Sequence, residues 1–307
     1  MKKIIAVFSL IVGGLTLVQA QQDPMFTQYM FNEITVNPAY AGSHKVISAT
    51  ALYRNQWTGF DGAPITQSFN VHSPLKNERI GVGVSIINDV IGVSKNFNLY
   101  GNASYMIPFS AKSHLAFGLQ AGFTRISEDI SKLEINGGEA YTPDGGAEIA
   151  TGALPNIGAG LHYETHNFYV GASVPKLLST VTNDALGSLK QAQHYFLTMG
   201  YLINLNPLWM LKPATMIKAV SGAPINADIS LDVIYDKTYS LGAAYRSGES
   251  LDLMGMYLIN SEFRIGYSYD ILLNALRNVN GVGGTHEIIL NYRFSHDKSK
   301  VETPRFF

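Results

Sequence analysis

Apolar and polar positions alternate with a period of two through most of the chain. In Arg79–Asn88, Ile80, Val82, Val84 and Ile86 fall on one face, and Gly81, Gly83 and Ser85 on the other. Ser113–Arg125 sets Leu115, Phe117, Leu119 and Phe123 against Gly118, Gln120, Gly122 and Thr124. Asn226–Tyr235 sets Ile229, Leu231, Val233 and Tyr235 against Asp228, Ser230 and Asp232. Lys95–Met106, Thr238–Arg246, Phe263–Asp270 and Thr285–Phe294 repeat the pattern. Weaker versions occupy Val46–Arg54, Thr66–Ser73, Asn156–Tyr163, Asn167–Ser173, His194–Ile203, Trp209–Lys218 and Leu251–Ile259. Successive side chains of a strand point to opposite faces, so each run predicts a β-strand with one apolar face. Most are close to the ~9–11 residues that a tilted membrane strand requires. Pro213 interrupts Trp209–Lys218, and a bulge or break is expected there because proline removes a ladder donor.

The connections sort by length. With the first strand starting in the periplasm, the even-numbered connections are short: Pro74–Glu78, Ile107–Lys112, Glu164–His166, Asn204–Leu208, Asp236-Lys237 and Asn260-Ser261. The odd-numbered set includes the three longest, Ile126–Pro155, Val174–Gln193 and Ile271–Gly284. Short turns at one end, long loops at the other and an even strand count mark an outer-membrane barrel. A soluble sandwich has no reason to segregate its loops. Phe97 and Tyr105, Tyr239 and Tyr245, and Phe263 and Tyr269 sit near opposite ends of apolar faces, as two interfacial girdles require.

Composition points the same way. Charged residues are only 15 % of the chain and apolar ones 46 %, whereas soluble domains carry ~25 % charge. The 307 residues include 22 basic and 23 acidic side chains, a net charge of -1. That leaves no positive field to recruit nucleic acid. Cysteine is absent, which excludes disulfides, thiolate metal clusters and a lipoprotein anchor. Residues 1–20 read as a signal peptide, with Lys2 and Lys3, the apolar stretch Ile4–Val18 and the cleavage site Val18-Gln19-Ala20. The expectation is an exported all-β protein: a transmembrane barrel of about 14 antiparallel strands over residues 46–294. Segment 21–45 precedes it, and a periplasmic tail over 295–307 follows, with Lys298, Lys300 and the final Phe306-Phe307.

The polar faces of the last five strands carry Asp228, Asp232, Arg246, Asp252, Arg264, Asp270, Glu287 and Arg293. Both signs are mixed, and an unpaired buried charge is costly, so a lumenal charge network is expected. Nothing points to catalysis. His286-Glu287 begins like a metalloprotease helix, but Leu290 stands where the second histidine belongs. No acidic calcium loop is complete, and no nucleophile elbow occurs. No enzyme, metal or cofactor is expected. Gly281, Gly283 and Gly284 read as a flexible loop. Ile126–Pro155 holds Glu128, Asp129, Glu134, Glu139, Asp144 and Glu148 against Lys132. It reads as a solvated acidic loop, with partner docking left open.

The start of the mature chain reads Gln22-Asp23-Pro24-Met25-Phe26-Thr27-Gln28-Tyr29-Met30-Phe31-Asn32, then Val36-Asn37-Pro38-Ala39-Tyr40-Ala41-Gly42-Ser43. Tyr53-Arg54-Asn55-Gln56-Trp57, Gly62-Ala63-Pro64 and Gln67 follow. Further on come Ser85-Ile86-Ile87-Asn88-Asp89, Lys212-Pro213 with Lys218, Gly266-Tyr267-Ser268-Tyr269-Asp270 and Gly284-Thr285-His286-Glu287-Ile288. In this order and spacing the pieces closely resemble the PorP/SprF family of outer-membrane proteins of the type IX secretion system. The resemblance covers essentially the whole mature chain. It implies a fourteen-stranded barrel without enzymatic activity that assists export or surface retention of a large secreted adhesin. The implied partners are the C-terminal domain of that cargo, secretion or gliding components at the periplasmic face, and outer-membrane lipid. Its motifs offer Asp23, Phe26, Tyr29, Asn37, Pro38, Tyr40, Arg54 and Trp57 as partner-binding residues.

Pro24 and Pro38 exclude segment 21–45 as a membrane strand, and Phe26, Tyr29 and Met30 share a helical face. A short plug, or a periplasmic cap packed against the barrel, is the expectation. A function of another class stays open: a passive transporter for small or hydrophobic solutes, with this segment as a hatch.

Overall fold

Fourteen antiparallel strands close on themselves in the computed structural model. They are β1 (Ile47–Asn55), β2 (Ile65–Pro74), β3 (Ile80–Ile91), β4 (Ser94–Ser110), β5 (Ser113–Asp129), β6 (Leu154–Glu164) and β7 (Phe168–Val174). Then follow β8 (His194–Tyr201), β9 (Trp209–Val220), β10 (Asn226–Tyr235), β11 (Tyr239–Arg246), β12 (Ser250–Leu258), β13 (Phe263–Leu272) and β14 (Thr285–Phe294). The described residues are 23–294, apart from 77, 111, 130–133, 136–138, 141–147, 179–180, 185–186, 191 and 221–222. The expected signal peptide and C-terminal tail, and residues 130–133, 136–138 and 141–147 of the acidic connection, lie outside them.

Each strand pairs with its neighbours in sequence, and β1 closes on β14 from Ile47 opposite Phe294 to Asn55 opposite His286. Closure satisfies every ladder without leaving an edge, which hydrocarbon demands because it offers backbone groups no partner. Alternation fixes the two faces: Leu241 is 72 % exposed while its neighbour Ser240 is 5 % exposed. A leucine that open belongs against lipid, and the buried serine against the lumen. Among the described residues no helix is long and apolar enough to cross a membrane.

The turns β2–β3, β4–β5, β6–β7, β8–β9, β10–β11 and β12–β13 define the inner, periplasmic end, and the longer loops define the outer end. Aromatic pairs gather at the inner end: Trp209 with Tyr235 at 4.7 Å between ring centroids, Tyr239 with Tyr257 at 5.0 Å, and Tyr292 with Phe294 at 4.3 Å. Such rings suit the membrane–water boundary.

Two details differ from the sequence reading. Pro213 sits within β9 without a bulge, paired with Leu231 of β10. The break falls on its other side, in β8. There the β8–β9 ladder stops at Gly200 opposite Ala214 and resumes in the same register at Ile203 opposite Leu211. The missing proline N–H is thus absorbed by its partner, and Leu202 donates instead to the Asn167 carbonyl at 2.7 Å. The β4–β5 hairpin is also longer than its alternation suggested, running past Met106 to a register shift between Pro108 and Ser110.

Residues 23–45 thread the lumen. Asp23 lies at the outer end, 2.6 Å from Lys176 just beyond β7. The segment descends through three short 3-10 turns, Tyr29–Phe31, Glu33–Thr35 and Pro38–Tyr40. It reaches Gly42 and His44 at the inner end, beside His72 and Arg293, before entering β1. Phe26, Tyr29, Met30 and Val36 pack on Leu52, Phe196, Met216, Ala244, Met254 and Ile289, which points several inward side chains of the wall at an apolar plug core.

Candidate functional site

The strongest polar grip lies in the outer half of the lumen, around Thr27. Arg54, the last inward residue of β1, donates from Nη2 to Asp270 at 2.7 Å and from Nη1 to Glu287 at 3.0 Å and Thr27 Oγ1 at 2.8 Å. Glu287 accepts the successive backbone N–H groups of Thr27 (2.9 Å) and Gln28 (2.8 Å). The Thr27 hydroxyl donates to Asp270 at 2.9 Å. On the opposite side, Arg246 Nε donates to Asp228 at 3.1 Å, and Nη2 to the Phe26 carbonyl at 3.4 Å. Asp252 and Asp270 face each other across β12 and β13, each 3.9 Å from Arg246. Barrel closure is what assembles this group, because it brings β1 beside β14. Charge-assisted bonds to a backbone nest are stronger than neutral ones, so Phe26–Gln28 is clamped from both sides.

Lower down, one cross-strand row is built of small residues. Gly81, Ser104, Gly118, Gly160 and Ser173 stand in register across β3, β4, β5, β6 and β7. Along it lies the stretch Val36–Gly42. Ser173 Oγ donates to the Val36 carbonyl and Ser104 Oγ to the Ala41 carbonyl, each at 2.6 Å. A Cβ on Gly160 would overlap the Asn37 amide oxygen, one on Gly118 the Ala39 nitrogen, and one on Gly81 the Ala41 carbonyl. Asn37 caps the Pro38–Tyr40 turn by accepting from Ala39 N at 3.0 Å, and donates to the Leu161 carbonyl at 3.0 Å. Pro38 occupies the first position of that turn, where a missing N–H costs nothing. The Asn-Pro-Ala-Tyr-Ala-Gly text is therefore the shape of a segment lying flush on a glycine-floored wall.

Below the belt, Tyr40 sits edge-on to His44, His72 and His162, with ring centroids 5.5, 5.8 and 5.5 Å away. Glu33 lies 3.8 Å from His162, which lies 3.6 Å from Glu164, itself 3.6 Å from His114. Burial pushes the Glu33 carboxyl up to about 7, against the opposing pull of His162 and Lys212. Its folded value exceeds the ordinary 4.5, so its stabilising contribution is complete below that value and declines as pH rises towards 7. Raising the pH from 5 to 8 should loosen the plug, by up to about 3 kcal/mol. Thermal unfolding in detergent measures this, and Glu33→Gln should flatten the dependence; an unflattened profile would assign it elsewhere.

At the outer mouth, Asp23 is held below the usual carboxylate range. Burial alone would raise it, but Lys176 and His194 more than offset that. Next to it, Gln56–Gly59 is tied to the β13–β14 loop: Thr58 N donates to the Gly284 carbonyl at 3.0 Å and Gly283 N to the Thr58 carbonyl at 2.6 Å. Trp57 is thereby kept at a φ of 45°, a conformation few bulky residues adopt. Gly281, Gly283 and Gly284 thus form an ordered seam between two rims, where a flexible loop was expected. Between these rims an open cavity of about 270 Å³ is lined by Asp23, Gln56, Trp57, Pro64, Glu249 and Asn274, with Arg54 and Arg246 in its floor.

The candidate residues are therefore redistributed. Phe26, Tyr29, Asn37, Pro38, Tyr40 and Arg54 are buried and hold the plug to the wall, so they have no surface to offer a partner. Asp23 and Trp57 line the outer cavity. Of the eight charged residues, Asp228, Arg246, Asp252, Asp270 and Glu287 gather around Thr27 with Arg54. Asp232, Arg264 and Arg293 are buried elsewhere; Arg293 lies 3.0 Å from His44. Sequence reasoning missed Thr27, Gln28, Glu33, Lys176 and the small-residue belt. The belt left one signal, the runs of glycine and serine on the polar faces of β3 and β5. Among the described residues no group of His, Asp and Glu is arranged to hold a metal ion.

A closed barrel with a lipid-facing apolar surface, short inner turns and long outer loops defines an outer-membrane protein, here with its own N-terminal segment in the lumen. Residues 18–292 match the family described as type IX secretion system membrane protein PorP/SprF. The chain belongs to that family, and with it to the type IX secretion machinery of the outer membrane. No protein of curated function matches it in sequence. Among solved structures it is similar to the CymD monoaromatic hydrocarbon channel, at 11 % identity and a TM-score of 0.49, over 89 % of this chain and 94 % of that one. A Pseudomonas aeruginosa FadL homologue is similar at 12 % identity and 0.46, over 89 % and 95 %. Acinetobacter baumannii Omp33 is similar at 12 % and 0.44, over 81 % and 96 %.

Proposed function

We propose that this protein assists the export or surface anchoring of a large secreted adhesin by binding the cargo's C-terminal domain at the outer mouth, without catalysis. The observation that carries this reading is the fixed outer cavity in a chain of this family. Trp57 is held in the rim by the two backbone hydrogen bonds that its neighbour Thr58 makes across loops, and Asp23 is locked to Lys176. A preformed aromatic anchor beside polar groups is how interfaces concentrate binding energy. Secretion or gliding components would meet the opposite, periplasmic end.

Deleting the gene should remove one adhesin from the cell surface while other secreted proteins remain there; normal display of every cargo would reject the proposal. In the purified system, Trp57→Ala should weaken binding of the cargo domain by about 2 kcal/mol, or some 30-fold. Passive solute transport is the competing reading, and planar-bilayer recording separates the two. With residues 23–45 packed in the lumen the wild-type barrel should conduct poorly, and sustained porin-like currents would favour transport.

A further inference from the structure

One charged residue of the outer cavity takes no part in holding the plug. Asp89 of β3 lines that cavity together with Asp23 and Trp57, and is only 2 % exposed. It stands in the cross-strand row of the clamp: Glu287, Arg54, Thr66 and Asp89 follow one another across β14, β1, β2 and β3. Arg54 turns the other way, to Asp270, Glu287 and Thr27. Asp89 is left with the Thr66 hydroxyl, which donates to its Oδ1 at 2.6 Å. No hydrogen bond from the described residues reaches its Oδ2, and none of their basic side chains forms an ion pair with it. Lys176 attracts it from further off, but is bound to Asp23 at 2.6 Å. The lining as a whole is acidic, with Asp23, Asp89, Glu249 and Asp270 against Arg54 and Arg246. Both arginines are shared with Asp228, Asp252 and Glu287 beneath. A buried carboxylate with one hydrogen bond and no counter-ion is costly, and an incoming cation removes that cost.

We propose that this cavity receives an arginine side chain presented by the cargo's C-terminal domain, its guanidinium paired with Asp89 and stacked on Trp57. The identity of the partner rests on the cargo reading above, while the preference for a cation rests on Asp89 itself. Among the described residues no group of acids is arranged to hold a metal ion. The free carboxylate oxygen therefore suits a cation that brings its own hydrogen-bond donors. A guanidinium is planar, always charged and more weakly hydrated than an ammonium, so it enters a half-closed site at lower cost. Trp57 supplies an aromatic face, to which a cation is attracted. Its backbone is already fixed by the hydrogen bonds of Thr58, so little ordering is left for binding. Arginine and tryptophan are also the residues in which interfaces concentrate their energy.

The test uses the protein purified from outer membranes with Trp209→Phe, which leaves Trp57 as the only tryptophan. N-acetyl-arginine amide should change the Trp57 emission saturably. Its neutral isostere, N-acetyl-citrulline amide, should bind about tenfold more weakly, as a neutral hydrogen bond does beside a charged one. Added salt should weaken the arginine signal and spare the citrulline one. Asp89→Asn keeps an acceptor for Thr66 and should bring arginine down to the citrulline level. Heat-modifiable gel migration reports whether that variant assembles, and the two probes on the parent protein decide the matter if it does not. The partner is tested by capture of the adhesin's C-terminal domain, which Asp89→Asn should weaken about tenfold. Equal binding of the two probes, or arginine binding unchanged by Asp89→Asn, would overturn the proposal. Capture undiminished by Asp89→Asn would overturn arginine as the docking group and leave cargo binding in place. An arginine signal without any capture of the domain would reject the cargo reading and uphold the cationic pocket.

Discussion

Replacing Arg54 by methionine should release Phe26–Gln28 from the outer lumen and destabilise the protein by about 3–5 kcal/mol, the cost of stranding buried partners of an ion pair. In the wild type two guanidinium groups, Arg54 and Arg246, serve Asp228, Asp252, Asp270 and Glu287, all nearly inaccessible to water. Loss of Arg54 leaves Arg246 alone with four carboxylates. Its closest contact is Asp228, and it reaches Asp270 only at 3.9 Å. Methionine keeps much of the side-chain volume, so the effect reports charge more than cavity. Two measurements follow it: the heat-modifiable gel transition should fall in temperature, and bilayer conductance should rise as the plug loses its clamp. A triple variant that also carries Asp270→Asn and Glu287→Gln should recover part of the stability, because it removes the stranded charges as well. An Arg54→Met barrel that melts and conducts like wild type would show that the plug is held by its apolar contacts alone.

The barrel was legible because a lipid-facing wall and a wet lumen impose period two on every strand, and because loop length is sorted by the side of the membrane. Ile229, Leu231 and Val233 against Asp228, Ser230 and Asp232 leave little choice of face. Arg54 was harder. Read along the chain it belongs to the Tyr53-Arg54-Asn55-Gln56-Trp57 motif, and its carboxylate partners lie 216 and 233 positions away. Only closure of β1 on β14 places them together, and closure follows from the absence of edges in hydrocarbon rather than from any local pattern. The plug was half legible: its prolines and aromatics exclude a strand, but its route depends on register. Gly81, Gly118 and Gly160 are each visible on a polar face. That they fall in one row is a property of strand offsets, which turn lengths alone do not determine. Glu33 shows the same limit from the other side, since its neighbours His162 and Lys212 are reached only once the segment is inside.

A valine at position 118 should separate barrel formation from plug docking. The strand gains a residue with better β-propensity, and its lipid face is untouched, so the barrel should still assemble and show its heat-modifiable shift. Inside, the added carbons would occupy the place of the Ala39 nitrogen and the adjoining Pro38 carbonyl carbon. These are backbone atoms of a turn fixed by the Asn37 cap and the proline ring, so they cannot swing aside like a flexible side chain. Overpacking of this kind costs about 1–3 kcal/mol or more, and the displaced element is the one without ladder hydrogen bonds. Val36–Gly42 should leave the belt, breaking the Ser104 and Ser173 hydrogen bonds together. Limited proteolysis should then cut within residues 23–45 of the variant while sparing the wild type. Gly101→Val is the control, because a Cβ there meets only ordinary contact, 3.8 Å from the Ala121 carbonyl. Equal protection of the plug in Gly118→Val and Gly101→Val would mean that the belt is incidental to docking. Loss in the first alone would assign Gly118 of β5 to seating the N-terminal segment.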